Sequence, residues 1–318
     1  MNLAKLLTKQ EIDQLMERSD WKAIWELCFT WGVIVGVISV AIIWTNPITL
    51  VLAWIVVGAR QLALAILMHD FSHYAMFKRK RVNQLVGQWL CAYPMFLDLE
   101  KYREYHLSHH SHTGSNKDPD LYLVNMYPSS EKSLIRKFLR DLVGFTGIKS
   151  YIGLAMMNMG LLEYELGGRV IKKNKDSSKL EQGKSLIKGW WGPVTINLIG
   201  FAVFCLVQKP WLFLALWICP LLTTSMFFLR IRSIAEHGVT PDRNNPLQNT
   251  RTTLATWYQK FLFAPHNVHY HLEHHLLMTV PSYNLPAMHS LLLKKGLLKD
   301  ALVECSYWTV LKKAILKS

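Results

Sequence analysis

The stretch CFTWGVIVGVISVAIIWT, residues 28–45, contains 18 consecutive uncharged positions. That length is enough for one transmembrane helix. Three further apolar runs follow it along the chain: 48–68, 189–208 and 210–229. Only short turns separate the first run from the second and the third from the fourth. The sequence therefore predicts an all-α integral membrane protein with four transmembrane helices in two hairpins.

The composition is consistent with a membrane protein. Hydrophobic residues make up 51% of the chain and charged residues only 18%, whereas about a quarter of a soluble protein is charged. The net charge is 36 − 22 = +14. Such an excess can indicate nucleic acid binding, but the hydrophobic content argues against that partner. The five cysteines are dispersed and form no C-x-x-C pair, so neither disulfides nor a cysteine metal site is indicated.

The basic residues predict how the hairpins are oriented. A basic run at 78–81 follows the second apolar run, and Arg230 and Arg232 follow the fourth, whereas the two hairpin turns share a single lysine. Basic loop residues remain on the cytoplasmic side of a membrane. We therefore expect a multi-pass protein of the inner (cytoplasmic) membrane, with both termini and all long segments in the cytoplasm.

These predictions make residues 1–318 a single domain, whose cytoplasmic catalytic cap is formed by 69–188 and 230–318. Two apolar stretches are too short to cross a bilayer and are predicted to be interfacial or re-entrant: 85–97 and 150–162. The polar segment at 172–185 is predicted to be a loop.

Nine of the 13 histidines follow a spacing that suits metal binding. They form H-x-x-x-H, two copies of H-x-x-H-H and one isolated position: His69 and His73; His106, His109 and His110; His271, His274 and His275; and His237. Neutral imidazole is a strong ligand for zinc, copper and iron. Positions i, i+3 and i+4 share a helix face, so H-x-x-H-H presents two or three imidazoles to one point. Nine ligands exceed a four-coordinate zinc and suit two metal ions.

The predicted topology brings these histidines to one side of the membrane. A helix rises about 32 Å from Ile48 to His69, just past a hydrocarbon core of about 30 Å. His237 lies about two turns beyond the fourth apolar run. All nine histidines are therefore expected on the cytoplasmic side.

The three boxes, H69-DFS-H73, H106-LS-H109-H110 and H271-LE-H274-H275, interleaved with two apolar hairpins, resemble the membrane fatty acid desaturase and hydroxylase family. The resemblance covers about 28–290. It extends to the runs Asp118-Pro119-Asp120 and Ala235-Glu236-His237-Gly238.

The resemblance implies a non-haem di-iron oxidase that uses O₂ and external electrons to oxidise an unactivated C–H bond of a fatty acyl chain. The nine histidines would be ligands of two Fe ions, and the substrate a fatty acid or acyl lipid. No haem-binding or iron–sulfur motif is found in the chain. The electrons would come from a separate ferredoxin, rubredoxin or cytochrome with its reductase.

Several residues near the boxes have two interpretations. Asp70 and Glu273 either orient an imidazole or are ordinary helix acids. His112 and His269, with His266 and His289, are interpreted as supporting or structural, although His269 could replace His271 in another register. Arg60 interrupts the second apolar run, where a charge is costly. It either pairs with a substrate carboxylate or an internal acid, or extends towards the cytoplasmic head groups.

Desaturation is the leading hypothesis for the function. Fatty acid or alkane hydroxylation, carotenoid oxygenation and terminal-alkene-forming fatty acid decarboxylation are alternatives on the same scaffold. A membrane zinc metalloprotease would use H-x-x-x-H but leave most of the histidines idle. A metal transporter would place its ligands at the bilayer midplane.

Overall fold

The computed structural model describes residues 6–173 and 178–316, and most of them are helical. The helices up to residue 158 are α1 (Lys9–Leu15), α2 (Asp20–Ile43), α3 (Pro47–Ser72), α4 (Lys80–Val86), α5 (Leu99–His112), α6 (Leu121–Val124), α7 (Glu131–Leu142) and α8 (Phe145–Asn158). Those that follow are α9 (Lys179–Leu206), α10 (Trp211–Phe213), α11 (Cys219–Leu222), α12 (Thr224–His237), α13 (Trp257–Leu262), α14 (His271–Leu276), α15 (Leu285–Lys294) and α16 (Tyr307–Lys313). Two short strands, β1 (Thr252–Thr253) and β2 (Val303–Glu304), pair in parallel.

Four helical segments of the described residues are long and apolar enough to cross a membrane. They are Lys9–Ile43, which contains α1 and α2, then α3, α9 and the segment Trp211–His237, which contains α10, α11 and α12. The prediction of a mainly helical protein with four apolar spans is confirmed. The positions also agree, because each predicted run overlaps one of these segments.

Side-chain caps determine where two of the long helices begin. Asn46 caps α3, because its side-chain Oδ1 accepts from the backbone N–H groups of Ile48 and Thr49 at 3.0 and 3.2 Å. Ser178 and Glu181 form a reciprocal capping box that starts α9. The prediction of a loop over 172–185 is therefore wrong from Lys179 onwards. The S-x-x-E signal begins a helix there, ten residues before the apolar run 189–208. Residues 174–177 lie outside the described residues.

The fourth apolar segment is not a regular helix. A π-helical turn at Leu214–Ile218 joins α10 to α11, and Thr223 breaks the helix with φ −124° and ψ −88°. Pro220, which has no N–H to donate, lies three residues before the break. The Trp54 indole of α3 donates to the Thr223 hydroxyl at 3.0 Å. Beyond the break, α12 continues to His237, as the sequence predicts.

The helix α3 lies at the centre of the molecule, and its second half is almost completely buried. It packs against both α2 and α12. A Cβ atom added at Gly58 would lie 2.8 Å from the Thr224 Cβ and closer still to the Thr224 hydroxyl. Small residues allow helix backbones to approach this closely in membranes. Gly58 therefore determines the separation of the two helices that carry His69 and His237.

The two short apolar stretches form short helices. Within 85–97, a π-helical turn at Gly87–Ala92 packs against α3, and a 3₁₀ turn at Tyr93–Met95 packs against α9. Most of 150–162 belongs to α8. Neither is among the four candidate spans of the described chain. Their location at the membrane surface remains a prediction.

The contact at Gly58 gives a prediction with a matched control. Replacing Gly58 by Ala should lower the free energy of unfolding by about 1–3 kcal/mol, because the added methyl group forces α3 and α12 apart. Gly36→Ala makes the same change in α2, where nothing lies within 4 Å of an added Cβ. Thermal unfolding in detergent micelles would measure both variants. Equal melting temperatures for the two would contradict this account.

Candidate metal centre

Four separate segments of the chain bring histidines together. His69 lies in the last turn of α3 and His73 directly follows that helix, while α5 carries the second box. His237 is the last residue of α12, and α14 carries the third box. Asp98 caps α5 by accepting from two backbone N–H groups at 3.0 Å. The cap fixes the start of the helix that presents the second box.

The nine predicted histidines form two groups, and within each group the candidate ligand atoms lie within 4.8 Å of one another. The first histidine group consists of His69, His73, His106, His110 and His274. The second histidine group consists of His109, His237, His271 and His275. The groups are adjacent, since the rings of His110 and His275 stack with centroids 4.3 Å apart.

The two H-x-x-H-H boxes are divided between the groups in the same way. In each box the i and i+4 histidines share one group, and the i+3 histidine belongs to the other. Thus His106 and His110 lie in the first group, whereas His109 lies in the second. The expectation that one box could present three imidazoles to one point is wrong. The angular offset of about 60° between positions i and i+3 directs the third ring to the neighbouring site.

The distances between the imidazole nitrogens suit metal ions. In the first group, Nε2 of His110 lies 2.9 Å from His106 Nε2 and 3.0 Å from His274 Nε2. In the second, His271 Nε2 lies 2.8 Å from His237 Nε2 and 3.1 Å from His275 Nε2. Two nitrogens bound at about 2.1 Å to one ion, at a right angle, are about 3 Å apart. The donor set therefore has the separation that a shared ion requires.

Burial keeps most of these side chains neutral and leaves some of them without a partner. It lowers the pKa of His106, His110 and His274, and neighbouring histidines lower it further. Neutral imidazole is the form that binds a metal. The Nε2 atom of His69 and both ring nitrogens of His73 are buried without a hydrogen-bond partner among the described residues. Unpaired buried polar atoms are costly, so these nitrogens suit a cation.

Three carboxylates lie near the Nδ1 atoms of histidines in the two groups. Asp70 Oδ1 lies 2.8 Å from His69 Nδ1, and Asp118 Oδ1 lies 2.7 Å from His109 Nδ1. Glu236 Oε1 lies 3.6 Å from His271 Nδ1. A carboxylate on Nδ1 orients the ring and leaves Nε2 for a metal. Of the two interpretations of Asp70, this geometry agrees with an orienting role.

His109 has a pKa that moves in the opposite direction from those of its neighbours. Burial lowers the pKa of His109, but the negative charge of Asp120 and the hydrogen bond and charge of Asp118 outweigh burial and raise it. Asp120 Oδ2 lies 3.6 Å from His109 Nδ1. The two acids therefore favour the protonated form of this imidazole, whose proton a bound metal ion would have to replace.

The remaining candidate residues lie outside both groups. Glu273 contacts no box histidine: it lies 2.5 Å from His289 Nδ1 and accepts from the Thr252 hydroxyl. His112 Nδ1 lies 2.9 Å from the Ser108 carbonyl oxygen. His269 is buried and belongs to neither group. His271 is the member of the second group, so His269 does not replace it.

Arg60 has a partner that the sequence did not indicate. Its guanidinium is buried and donates to the backbone carbonyl of Phe261, which precedes the third box. It forms no ion pair with a described acid, so pairing with an internal acid was wrong. Arg60 is buried in the middle of α3, and its side chain is not exposed at the end of the helix as the other interpretation required.

Asp118, Asp120 and Glu236 were noted in the sequence only as parts of a family resemblance. Asp118 lies nine residues beyond His109, and the turn after α5 returns it to the imidazole. Its carboxylate also accepts from the backbone N–H groups of Gly114 and Asp120 at 2.8 and 2.9 Å. No helical periodicity predicts such a return.

A cavity of about 250 Å³ lies against both groups. His106, His109, His237 and His271 line it. An apolar part of the lining is formed by Ala65, Met68, Leu97, Leu123, Val124, Leu166, Met226 and Leu229. Polar and charged residues complete it: Tyr102, Tyr105, Asp120, Thr146, Ser150, Arg230, Arg232, Ser233 and Glu236. The cavity could hold an uncharged chain beside the histidines.

Comparison with known proteins identifies relatives over most of the chain. A family model described as fatty acid desaturase matches residues 45–308. An sn-1 oleoyl-lipid 12-desaturase of Synechocystis sp. is 24% identical over 290 residues, which are 87% of this chain and 77% of the relative. A dihydrorhizobitoxine desaturase of Bradyrhizobium elkanii is 26% identical over 249 residues, which are 76% and 66% of the two chains. An sn-1 acyl-lipid omega-3 desaturase (ferredoxin) of Nostoc sp. is 24% identical over 246 residues, which are 73% and 64%.

The division into two groups predicts the metal content of two variants. We expect one ion for each of the two histidine groups. His109→Ala should lower the content towards one ion per chain, because the second group loses one of its four imidazoles and with it affinity for the ion. His112→Ala, on the same helix but outside both groups, should leave it unchanged. Elemental analysis of the purified proteins measures both. Equal metal content in the two variants would show that His109 holds no ion.

Proposed function

Because the chain belongs to the fatty acid desaturase family, we propose that it is an oxidoreductase that desaturates an acyl chain of a membrane lipid, using O₂ and a di-iron centre. The observation that carries the proposal is the cavity of about 250 Å³, whose lining includes histidines of both groups together with eight apolar side chains. An acyl chain lying in it would place its C–H bonds next to both groups.

In this proposal the nine histidines of the two groups hold two iron ions. Bound iron would supply the redox chemistry that an alkyl C–H bond needs, since such a bond offers no acid–base handle. The protein's own residues position and enclose this centre. Asp70, Asp118 and Glu236 orient imidazoles, and the Tyr102 ring stacks on the His106 ring with centroids 5.3 Å apart.

The overall reaction defines what else must be supplied. Desaturation removes two hydrogens from the chain, and O₂ takes them up with two further electrons and two protons to give two waters. The electrons must come from outside, because the chain has no motif for haem or an iron–sulfur cluster. We propose ferredoxin as the donor, since the name of the Nostoc relative specifies ferredoxin. Rubredoxin, or a cytochrome with its reductase, would fill the same role.

We propose that the four apolar segments cross the inner membrane as two hairpins, with the histidine groups in a cytoplasmic cap. The exposed basic run at 78–81 supports this orientation. Arg230 and Arg232 contribute less than the sequence suggested, because they pair with Asp141 and Glu236. The single domain over 1–318, with its cap formed by 69–188 and 230–318, also remains a proposal, and α9 begins within the first part of that cap, at Lys179.

Desaturation is favoured over the alternative oxidations by the names of the relatives. Each relative named above is a desaturase, and none is named as a hydroxylase, carotenoid oxygenase or decarboxylase. The choice of an acyl lipid follows the Synechocystis and Nostoc names and the apolar part of the cavity lining. A one-zinc protease would leave at least one of the two histidine groups without a role.

The proposed reaction can be tested by expression in a host whose lipids carry only saturated and monounsaturated chains. Mass spectrometry of the extracted acyl chains should reveal new products with two hydrogens fewer. His274→Ala removes an imidazole of the first group and should abolish them. Hydroxylated chains or terminal alkenes in place of these products would contradict desaturation and assign an alternative oxidation.

The cavity gives a second test with a matched control. Ala65→Leu adds bulk to the apolar part of the lining and should reduce product yield about tenfold to a hundredfold, because small misplacements of a reacting chain are costly. Metal content should remain normal. Ala202→Leu makes the same change on an exposed face of α9 and should have no effect. Equal yields from both variants would argue against this cavity as the acyl site.

A further inference from the structure

A second cavity, of about 340 Å³, lies apart from the histidine groups. It is formed between α2, the middle of α3 and the segment from Trp257 to Asn267. None of its lining residues belongs to either histidine group. The desaturation chemistry therefore gives it no role.

Arg60 is a buried cation that lines this cavity. Arg60 is only 2% exposed, and its guanidinium carbon lies 4.4 Å from the centre of the Phe261 ring. The guanidinium donates to the Phe261 carbonyl, but its Nε atom is buried without a partner among the described residues. A buried charge without an opposite charge is costly. An anion in the cavity would compensate for it.

The other charged groups leave the cavity with a positive excess. Lys260 is exposed at its edge. The single carboxylate of the lining, that of Glu26, is already engaged, because Glu26 Oε2 lies 3.3 Å from His266 Nδ1 and accepts from the Ser282 hydroxyl at 3.2 Å. Two cations, Arg60 and Lys260, therefore outnumber one engaged carboxylate.

The edge of the cavity is aromatic and exposed. Trp25 is 63% exposed, Phe29 46% and Trp257 81%. Large exposed aromatic side chains are typical of the border between lipid tails and head groups. On α2, the rise from Trp25 to the exposed Trp44 is about 28 Å, close to a hydrocarbon thickness of about 30 Å. The cavity therefore lies where lipid head groups would be found.

The turn that completes the cavity has an uncommon backbone conformation. His266 and Asn267 are consecutive non-glycine residues with φ angles of 52° and 55°. Residues in the left-handed region are uncommon and cluster at ligand sites. The His266 Nε2 atom lies 3.1 Å from the Thr30 hydroxyl, and the Asn267 side chain donates to the Ser282 carbonyl at 3.2 Å. The surrounding contacts thus hold the strained turn in place.

We propose that this cavity binds the head group of an anionic membrane phospholipid. The phosphate faces Arg60 and Lys260, and the acyl chains lie against the aromatic edge formed by Trp25, Phe29 and Trp257. The site is separate from the acyl cavity beside the histidines, and the bound lipid is not consumed. It would hold the segment that precedes the third box against α2 and α3.

The experiment is a titration of the full-length protein, in neutral detergent, with phosphatidylglycerol or phosphatidylcholine, followed by native mass spectrometry. The unaltered protein should bind phosphatidylglycerol more tightly. Lys260→Gln should weaken that binding about fivefold, because each basic residue near a lipid surface contributes on this scale. Lys312→Gln removes the same charge from an exposed position on α16 and should change it less than twofold.

Arg60→Lys provides a second arm, because it keeps the charge but loses the guanidinium contact with Phe261. It should bind phosphatidylglycerol better than Arg60→Gln when both variants fold. The proposal would be overturned by equal binding of the two lipids, or by equal effects of Lys260→Gln and Lys312→Gln. Displacement of the lipid by millimolar inorganic phosphate, or a preference for oleate, would also overturn it by assigning a small anion or a free carboxylate.

Discussion

The division of each H-x-x-H-H box between two histidine groups is the constraint on which the rest of the structure depends. Since the i+3 imidazole faces the neighbouring group, α5 and α14 must lie side by side with their registers matched. His69 and His73 approach from α3 and His237 from α12, so four segments are fixed relative to one another. Small shifts of any of them would separate nitrogens that now lie about 3 Å apart.

The close contact of α3 with α12 serves this centre and the acyl cavity together. Gly58 and Thr224 bring the helices together, and beyond that point Ala65 of α3 and Met226 of α12 both line the cavity. The break at Thr223 lets α12 change direction before it reaches His237. Helix packing within the span therefore determines both where a chain can lie and where the second histidine group forms.

Much of the fold and the set of nine histidines could be predicted from the sequence. Apolar length predicts the four spans, because a bilayer has a fixed thickness. The i, i+4 spacing of His106 and His110 predicts that they meet. The contribution of His109 to the other group could not be predicted, because it depends on the position of α14. The same is true of Asp118 and Arg60, whose partners are determined by turns and by packing between distant segments. The early start of α9 could have been predicted, because Ser178 and Glu181 have the spacing of a capping box.

The placement of the third box has a consequence for synthesis on the ribosome. His274 belongs to the first group, and His271 and His275 belong to the second, so a nascent chain that ends before residue 271 can complete neither. All four apolar segments precede residue 271, so they would be synthesised while both sets of imidazoles still lack members. If the groups hold metal ions as proposed, neither site is complete until the third box has been made.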